Sequence, residues 1–171
     1  NGLLNEKVIS DMGSRTLVLG LDDMNYFTGG CHHAGECKGF HLSCSSCPSV
    51  RRPFERMISS NLARKKHLLA QVKNLLVVAP TEWMADQFKR SSLNDLADPV
   101  VIPNPLSHQY FDTREDPKES FSDQIRVGIA AADLDDPIKG VRDTWTSIAP
   151  LVNAGRLTLT LAGESSSKLR S

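Results

Sequence analysis

Leu75-Leu76-Val77-Val78-Ala79-Pro80-Thr81-Glu82-Trp83-Met84 decides the fold. Five apolar residues in a row are too short for a helix and lack the polar alternation of a one-faced strand, so they read as a buried parallel strand. Pro80 then stops the strand, and Thr81 supplies an N-cap oxygen for a helix with Trp83, Met84 and Phe88 on its inner side. Working outward, Thr16-Leu17-Val18-Leu19-Gly20-Leu21 is a second apolar run of the same kind, and Pro99-Val100-Val101-Ile102-Pro103 a third, fenced by prolines. Between the first two, Ile58, Leu62, Leu69 and Val72 fall on one arc of a helix expected over 54–73. Lys65 lies on that arc too; either it packs its stem while the amine reaches water, the favoured reading, or it points into a cleft.

Strand, helix, strand, helix, strand is the pattern of a parallel sheet with covering helices. Leu3, Leu4, Val8, Ile9 and Met12 predict one more helix ahead of it. Residues 105–123 turn to Pro, Ser, Asp and Glu and read as a linker. The alternation then restarts, with a strand over 125–131, a helix marked by Val141, Trp145, Ile148 and Val152, and a strand over 157–163. The expected organisation is therefore 1–104 as part of one Rossmann-like domain, a linker, and 124–171 as the start of a second. A single β-α-β unit of that kind buries its own faces poorly.

The 171 residues are 40% hydrophobic and 23% charged, as in a domain with a real core. Twenty acidic side chains balance twenty basic ones, which argues against a dedicated nucleic-acid binder. No apolar run approaches the roughly 20 residues that span a bilayer. The opening Asn1-Gly2-Leu3-Leu4, with no initiator Met and no signal pattern, reads as a chain entered midway.

Periodicity vanishes over 22–53, where Cys31, Cys37, Cys44 and Cys47 follow the pattern C-x5-C-x6-C-x2-C. A Cys-x2-Cys knuckle presents two thiolates from one turn, and a second pair nearby completes the tetrahedron of a structural zinc site. Gly29, Gly30 and Gly35 let the chain turn tightly, and His32, His33 and His41 are substitute ligands. Two disulfides or four reduced thiols are the alternative states. Reduced cytoplasm suits the zinc reading. In each state the loop is a staple, and four thiolates leave no position for a catalytic water.

Gly20-Leu21-Asp22-Asp23-Met24-Asn25-Tyr26-Phe27-Thr28-Gly29-Gly30-Cys31-His32 resembles the T-L-H-D-M-W-x-F-T-G-G-C-H segment of family 4 glycosyltransferases that build bacterial exopolysaccharides. Cys44-Ser45-Ser46-Cys47-Pro48, Val77-Val78-Ala79-Pro80-Thr81-Glu82-Trp83-Met84, Val101-Ile102-Pro103-Asn104 and Ile138-Lys139-Gly140 follow in the family's order. The resemblance implies a GT-B fold, in which two Rossmann-like domains face each other across a cleft. It also implies retaining transfer of a sugar from a nucleotide-sugar donor to a glycan or lipid-linked acceptor, without a catalytic metal. On that pattern Asp22 and Asp23 lie at the reacting centre, and Thr28, Gly29 and Gly30 belong to the acceptor-side loop. Lys139 and Gly140 open a helix toward the donor's diphosphate. Outside the resemblance, Lys139 reads as a solvated lysine at a helix start.

This sequence departs from the family twice. Asp22 stands where the family has His, and Asp133 stands six residues before the Lys, where many members have Arg. The family's glycine-rich loop and Glu-x7-Glu motif both fall outside the chain, so the 171 residues alone are expected to be inactive. Both departures favour the alternative, a non-catalytic binding or scaffold protein stapled by zinc on the same fold. Arg51, Arg52, Arg56, Arg64, Lys65, Lys66 and His67 form a basic cluster. It suits either an anionic membrane surface at the cytoplasmic face or a solvated helix side.

Overall fold

The computed structural model describes residues 7–8, 11, 14–108 and 125–164. The helix expected around Leu3–Met12 lies largely outside them, as does most of the expected linker. The chain divides into two compact units, Asn1–Ser107 and His108–Ser171.

In the first unit, β1 (Thr16–Gly20), β2 (Asn74–Ala79) and β3 (Val100–Val101) form a parallel sheet in that spatial order. Leu17 pairs with Leu75, Leu19 with Val77, and Ala79 with Val101. A parallel neighbour needs a crossover. The cysteine loop and α1 (Glu55–Ala70) supply the first, and α2 (Glu82–Arg90) the second. Thr81 is extended at φ −145° and its Oγ1 accepts the Met84 amide at 3.1 Å, an N-cap contributing on the order of 1 kcal/mol. Lys89 and Arg90 sit in the last turn of α2, where the helix dipole favours cations.

One core unites both crossovers with the sheet: Leu19, Val77 and Ala79 from the strands, Leu62 and Leu69 from α1, and Met84, Ala85 and Phe88 from α2. The cysteine loop joins it through Leu21, Met24, Phe27, Phe40 and Cys44. Phe27 is fully buried, and its ring meets Phe40 and Phe88 edge-on at 5.8 and 5.7 Å, the arrangement aromatic quadrupoles prefer.

Two sequence readings change here. The strands expected to be buried on both faces are buried on one: Val18, Leu76 and Val100, on the opposite side from Leu19 and Val77, are exposed. Among the described residues, every core element lies on a single side of this sheet. Trp83 is not on the inner side of α2 but 51% exposed. Met84, Ala85 and Phe88 span an arc of about 100° by helical geometry, and Trp83 falls well outside it.

The second unit is one β-α-β element. β4 (Ile125–Asp133) and β5 (Leu157–Glu164) pair in parallel, with α3 (Val141–Asn153) between them in sequence. Its described buried hydrophobic residues are Leu134, Val141 and Leu157, while Trp145, on the face the sequence marks for packing, stays 41% exposed. Two strands and one helix cannot cover one another fully. The architecture is thus mixed α/β, built on two small parallel sheets.

Candidate functional site

In parallel α/β sheets the loops beyond the strands' carboxyl ends carry the chemistry, because side chains there are held by rigid strands yet leave the core. In the first unit that edge carries Asp22 and Asp23 just past β1, and Trp83 at the start of α2 past β2. Asp22 is exposed. Asp23 is partly covered and held on two sides, its Oδ1 accepting the Asn25 amide at 2.7 Å and its Oδ2 meeting His32 Nδ1 at 2.5 Å. Burial alone would raise the Asp23 pKa, but the His32 hydrogen bond, the Asn25 amide and the charges of His32 and Lys65 outweigh it and leave it lowered. The sequence reading named Asp23 and gave His32 only the role of a spare metal ligand. Its pairing with a carboxylate nine residues earlier was not readable from the motif.

Thr28, Gly29 and Gly30 take structural places. Thr28 is fully buried; its Oγ1 donates to the Cys31 carbonyl at 2.9 Å and accepts the Gly30 amide at 3.2 Å. Gly29 lies against α1, where a Cβ would meet Ile58 Cγ2 at 2.3 Å and the Ile58 carbonyl oxygen at 2.8 Å. Asn61 Nδ2 donates to the Gly29 carbonyl at 2.7 Å.

Lys65 overturns the favoured of its two expected behaviours. Rather than reaching water, its ammonium donates to Asn25 O at 2.5 Å, Asn25 Oδ1 at 3.1 Å and Thr28 O at 3.1 Å. The loop offers inward carbonyls with too few donors of its own, so the amine turns in to meet them. Burial lowers the Lys65 pKa, against the opposing pull of Asp23, Cys44 and Cys31. Lys66 likewise serves structure, bonding Ser92 O at 2.5 Å and Asp95 at 2.9 Å. The basic cluster therefore divides: both lysines are committed, while Arg51, Arg52, Arg56 and Arg64 stay exposed, Arg52 with a loose 3.7 Å contact to Glu55.

All four cysteines are free thiols, and together they line one cavity of about 10 Å3, the room of a single small sphere. Two of the sulfurs accept backbone amides, Cys37 from Gly39 at 3.4 Å and Cys44 from Gly29. Burial raises the pKa of Cys31 and Cys44, and their cysteine neighbours raise it further. Cys44 holds φ at 52°, costly for a residue with a Cβ. Among the described residues no three His, Cys, Asp or Glu side chains already stand in ligating positions. The four cysteines nonetheless line a single small cavity. Four soft donors around one small space, with amides directed at two of them, fit a closed zinc site of Cys31, Cys37, Cys44 and Cys47.

In the second unit, Gly140 takes a left-handed φ of 64° between the 3-10 turn Pro137–Lys139 and α3. Lys139 is exposed and its amide bonds Asp136 O at 3.0 Å, while the Gly140 amide bonds Pro137 O at 3.2 Å. A cavity of about 200 Å3 opens at the start of α3. Asp135, Asp136 and Asp143 line it against Arg142, Gly140 contributes to its wall, and Lys139 does not. As it stands, this cavity repels an anion more than it attracts one.

Among the described residues no helix is long and apolar enough to cross a membrane. No family model matches this chain, and no curated protein or solved structure matches it either.

Proposed function

We propose that this chain is part of a retaining glycosyltransferase of GT-B type, moving a sugar from a nucleotide-sugar donor to a glycan or lipid-linked acceptor. What supports the reading most is the position of Asp23, held by His32 and the Asn25 amide just past the carboxyl end of β1. That is where a parallel α/β sheet presents reacting groups. In this reading Asp22 and Asp23 face the reacting sugar from the first domain. Lys139, with the helix start that follows Gly140, offsets negative charge on the departing diphosphate. Structural zinc on the four cysteines keeps the loop in register. The exposed arginines at the start of α1 suit an anionic membrane surface on the cytoplasmic side, where a lipid-linked acceptor would wait.

The test uses protein expressed from the complete open reading frame, incubated with UDP-, GDP- and dTDP-sugars and lipid-linked acceptors. Acceptor-dependent release of nucleoside diphosphate, with loss of at least about 100-fold in Asp23→Asn, is the expected result for removal of a group acting in the transition state. Failure to bind any donor would sink the enzyme reading.

A second reading has its own support in the acidic cavity at the start of α3. Three carboxylates there, and Asp22 in place of the family's His, suit a non-catalytic binding or scaffold protein held by the same zinc. It expects one zinc per chain together with no donor binding.

A further inference from the structure

Two side-chain pairs meet on the cysteine loop at the carboxyl edge of the first sheet. Asp23 and His32 form one, with side chains 38% and 72% exposed. The rings of His33 and Trp83 form the other, 6.3 Å between centroids and 16° from parallel. His32 and His33 are consecutive, so their Cα atoms are about 3.8 Å apart and the two pairs are immediate neighbours along the loop. We propose that Asp23, His32, His33 and Trp83 form a saccharide-binding subsite that takes a hexopyranose of the acceptor. That this sugar is the acceptor rests on the glycosyltransferase reading above; that the patch binds a sugar does not.

A pyranose is apolar on its C–H face and polar around its rim. A binding site for it needs an open aromatic face beside fixed hydrogen-bonding groups. Trp83 supplies the face, being half exposed although its neighbours Met84 and Ala85 are buried. The His33 ring lies nearly parallel to it, 6.3 Å away between centroids, and is held by the Gly35 amide, which donates to Nδ1 at 3.2 Å. Beside them, His32 gives its Nδ1 to Asp23, and with the side chain 72% exposed its Nε2 remains for a ligand hydroxyl. Asp23 keeps further lone pairs for a second hydroxyl. Each group is braced before a ligand arrives, which lowers the entropy cost of binding.

Charge narrows the class of ligand. Asp22 and Asp23 stand beside the patch, and Lys65, the cation near it, is already committed to Asn25 and Thr28. A nucleotide would bring phosphates toward two carboxylates, with the Lys65 ammonium already engaged elsewhere. A neutral polyol meets no such penalty.

The test uses the 171-residue chain carrying Trp145→Phe, which leaves Trp83 as the sole indole. Neutral oligosaccharides of glucose, galactose and mannose, and separately UDP and GDP, are titrated while Trp83 emission is followed. At least one oligosaccharide is expected to shift the emission saturably below about 10 mM, the range of weak specific binding. Calorimetry is expected to show that affinity falling by about tenfold or more in Trp83→Ala, His33→Ala and Asp23→Asn, one decade per 1.4 kcal/mol lost. Since Trp83 and His33 are exposed, their variants should keep the parent's melting temperature, which separates lost binding from lost fold. The subsite is overturned if no oligosaccharide saturates, if UDP or GDP moves Trp83 more than any sugar does, or if the variants bind like the parent. Sugar binding by a protein that transfers from no donor would remove the enzyme reading and leave the subsite. Transfer with an acceptor KM unmoved by Trp83→Ala would do the reverse.

Discussion

Replacing Lys65 by Met keeps the length and apolar body of the side chain and removes only the ammonium. That ammonium has three donors and meets three acceptors, Asn25 O, Asn25 Oδ1 and Thr28 O. Asn25 and Thr28 are 7% and 0% exposed, so water cannot simply replace the lysine. The Asn25 carbonyl retains a long bond from the Thr28 amide at 3.5 Å; the Thr28 carbonyl is left without a donor. Charge-assisted bonds contribute about 1.5–3 kcal/mol each, but three bonds from one group are not additive. The methionine also recovers the cost of burying a charge, the cost that lowers the Lys65 pKa. A net loss of about 2–4 kcal/mol follows. For a unit of this size that is a fall in melting temperature of roughly 10–25 °C. Calorimetry reads it, and Trp83 and Trp145 fluorescence assigns each transition to its own unit, because the two need not unfold together. A Lys65→Met melt of the first unit within about 2 °C of the parent would refute the reasoning and restore the solvent-reaching lysine expected from the helical arc.

Gly29→Ala should destabilise the first unit by about 1–3 kcal/mol, because the new methyl would overlap Ile58 Cγ2 and the Ile58 carbonyl oxygen; Gly20→Ala, with nothing within 4 Å of its Cβ, should stay near neutral in the same denaturant melts. Asp95→Asn tests the Lys66 pair. The hydrogen bond from Lys66 lowers the Asp95 pKa below its ordinary 3.8, so the pair's stabilisation is fully present above about 3.8 and lost as pH falls through the lower folded value. Urea midpoints of parent and variant should therefore differ at pH 7 and converge as pH falls through the lowered Asp95 value, and a gap independent of pH would exclude the pair as its cause. For zinc, elemental analysis of protein purified without added metal should give about one zinc per chain. Serine at Cys31, Cys37, Cys44 or Cys47 should each remove it, and full occupancy in all four variants would end the four-thiolate assignment.

The strand-helix alternation was legible because burying a sheet against helices imposes periods that a sequence must display. Val77-Val78-Ala79 running into Pro80-Thr81 marks β2, the turn and the Thr81 cap almost to the residue. What the sequence hid depends on direction. An apolar run does not say whether both faces of a strand are covered, and Val18 and Leu76 proved open. Helical offsets put Lys65 on the core side, but only the loop's inward carbonyls decide that its amine turns in. Trp83 was assigned inward as a large apolar residue, although its wheel position lies away from Met84 and Phe88. The His32–Asp23 bond is a product of the loop's fold, and no local spacing rule encodes it. The four cysteines were visible as a group; the single cavity they line was not.

The cysteine loop is better understood as a layer of the core than as a lid over it. Met24, Phe27 and Phe40 enter the same cluster as Leu19, Val77 and Phe88, so the loop cannot lift without opening the centre of the first unit. Lys65 and Asn61 fasten it to α1 at Asn25, Thr28 and Gly29, and the cysteine cavity closes against Ile58 of the same helix. A loop fixed at that many points spends little free energy on ordering when a ligand arrives. Asp23, His32 and His33 thus stand on a support nearly as rigid as a strand, which is what positioned hydrogen-bonding groups require. The second unit differs. Its cavity rests on a 3-10 turn and one left-handed glycine, with Leu134 and Val141 as the buried hydrophobic residues in its wall. The proposed sugar site thus has its preorganised support in the first unit, while any grip on a diphosphate at Lys139 requires that lysine to turn from solvent toward a cavity whose charge now opposes the anion.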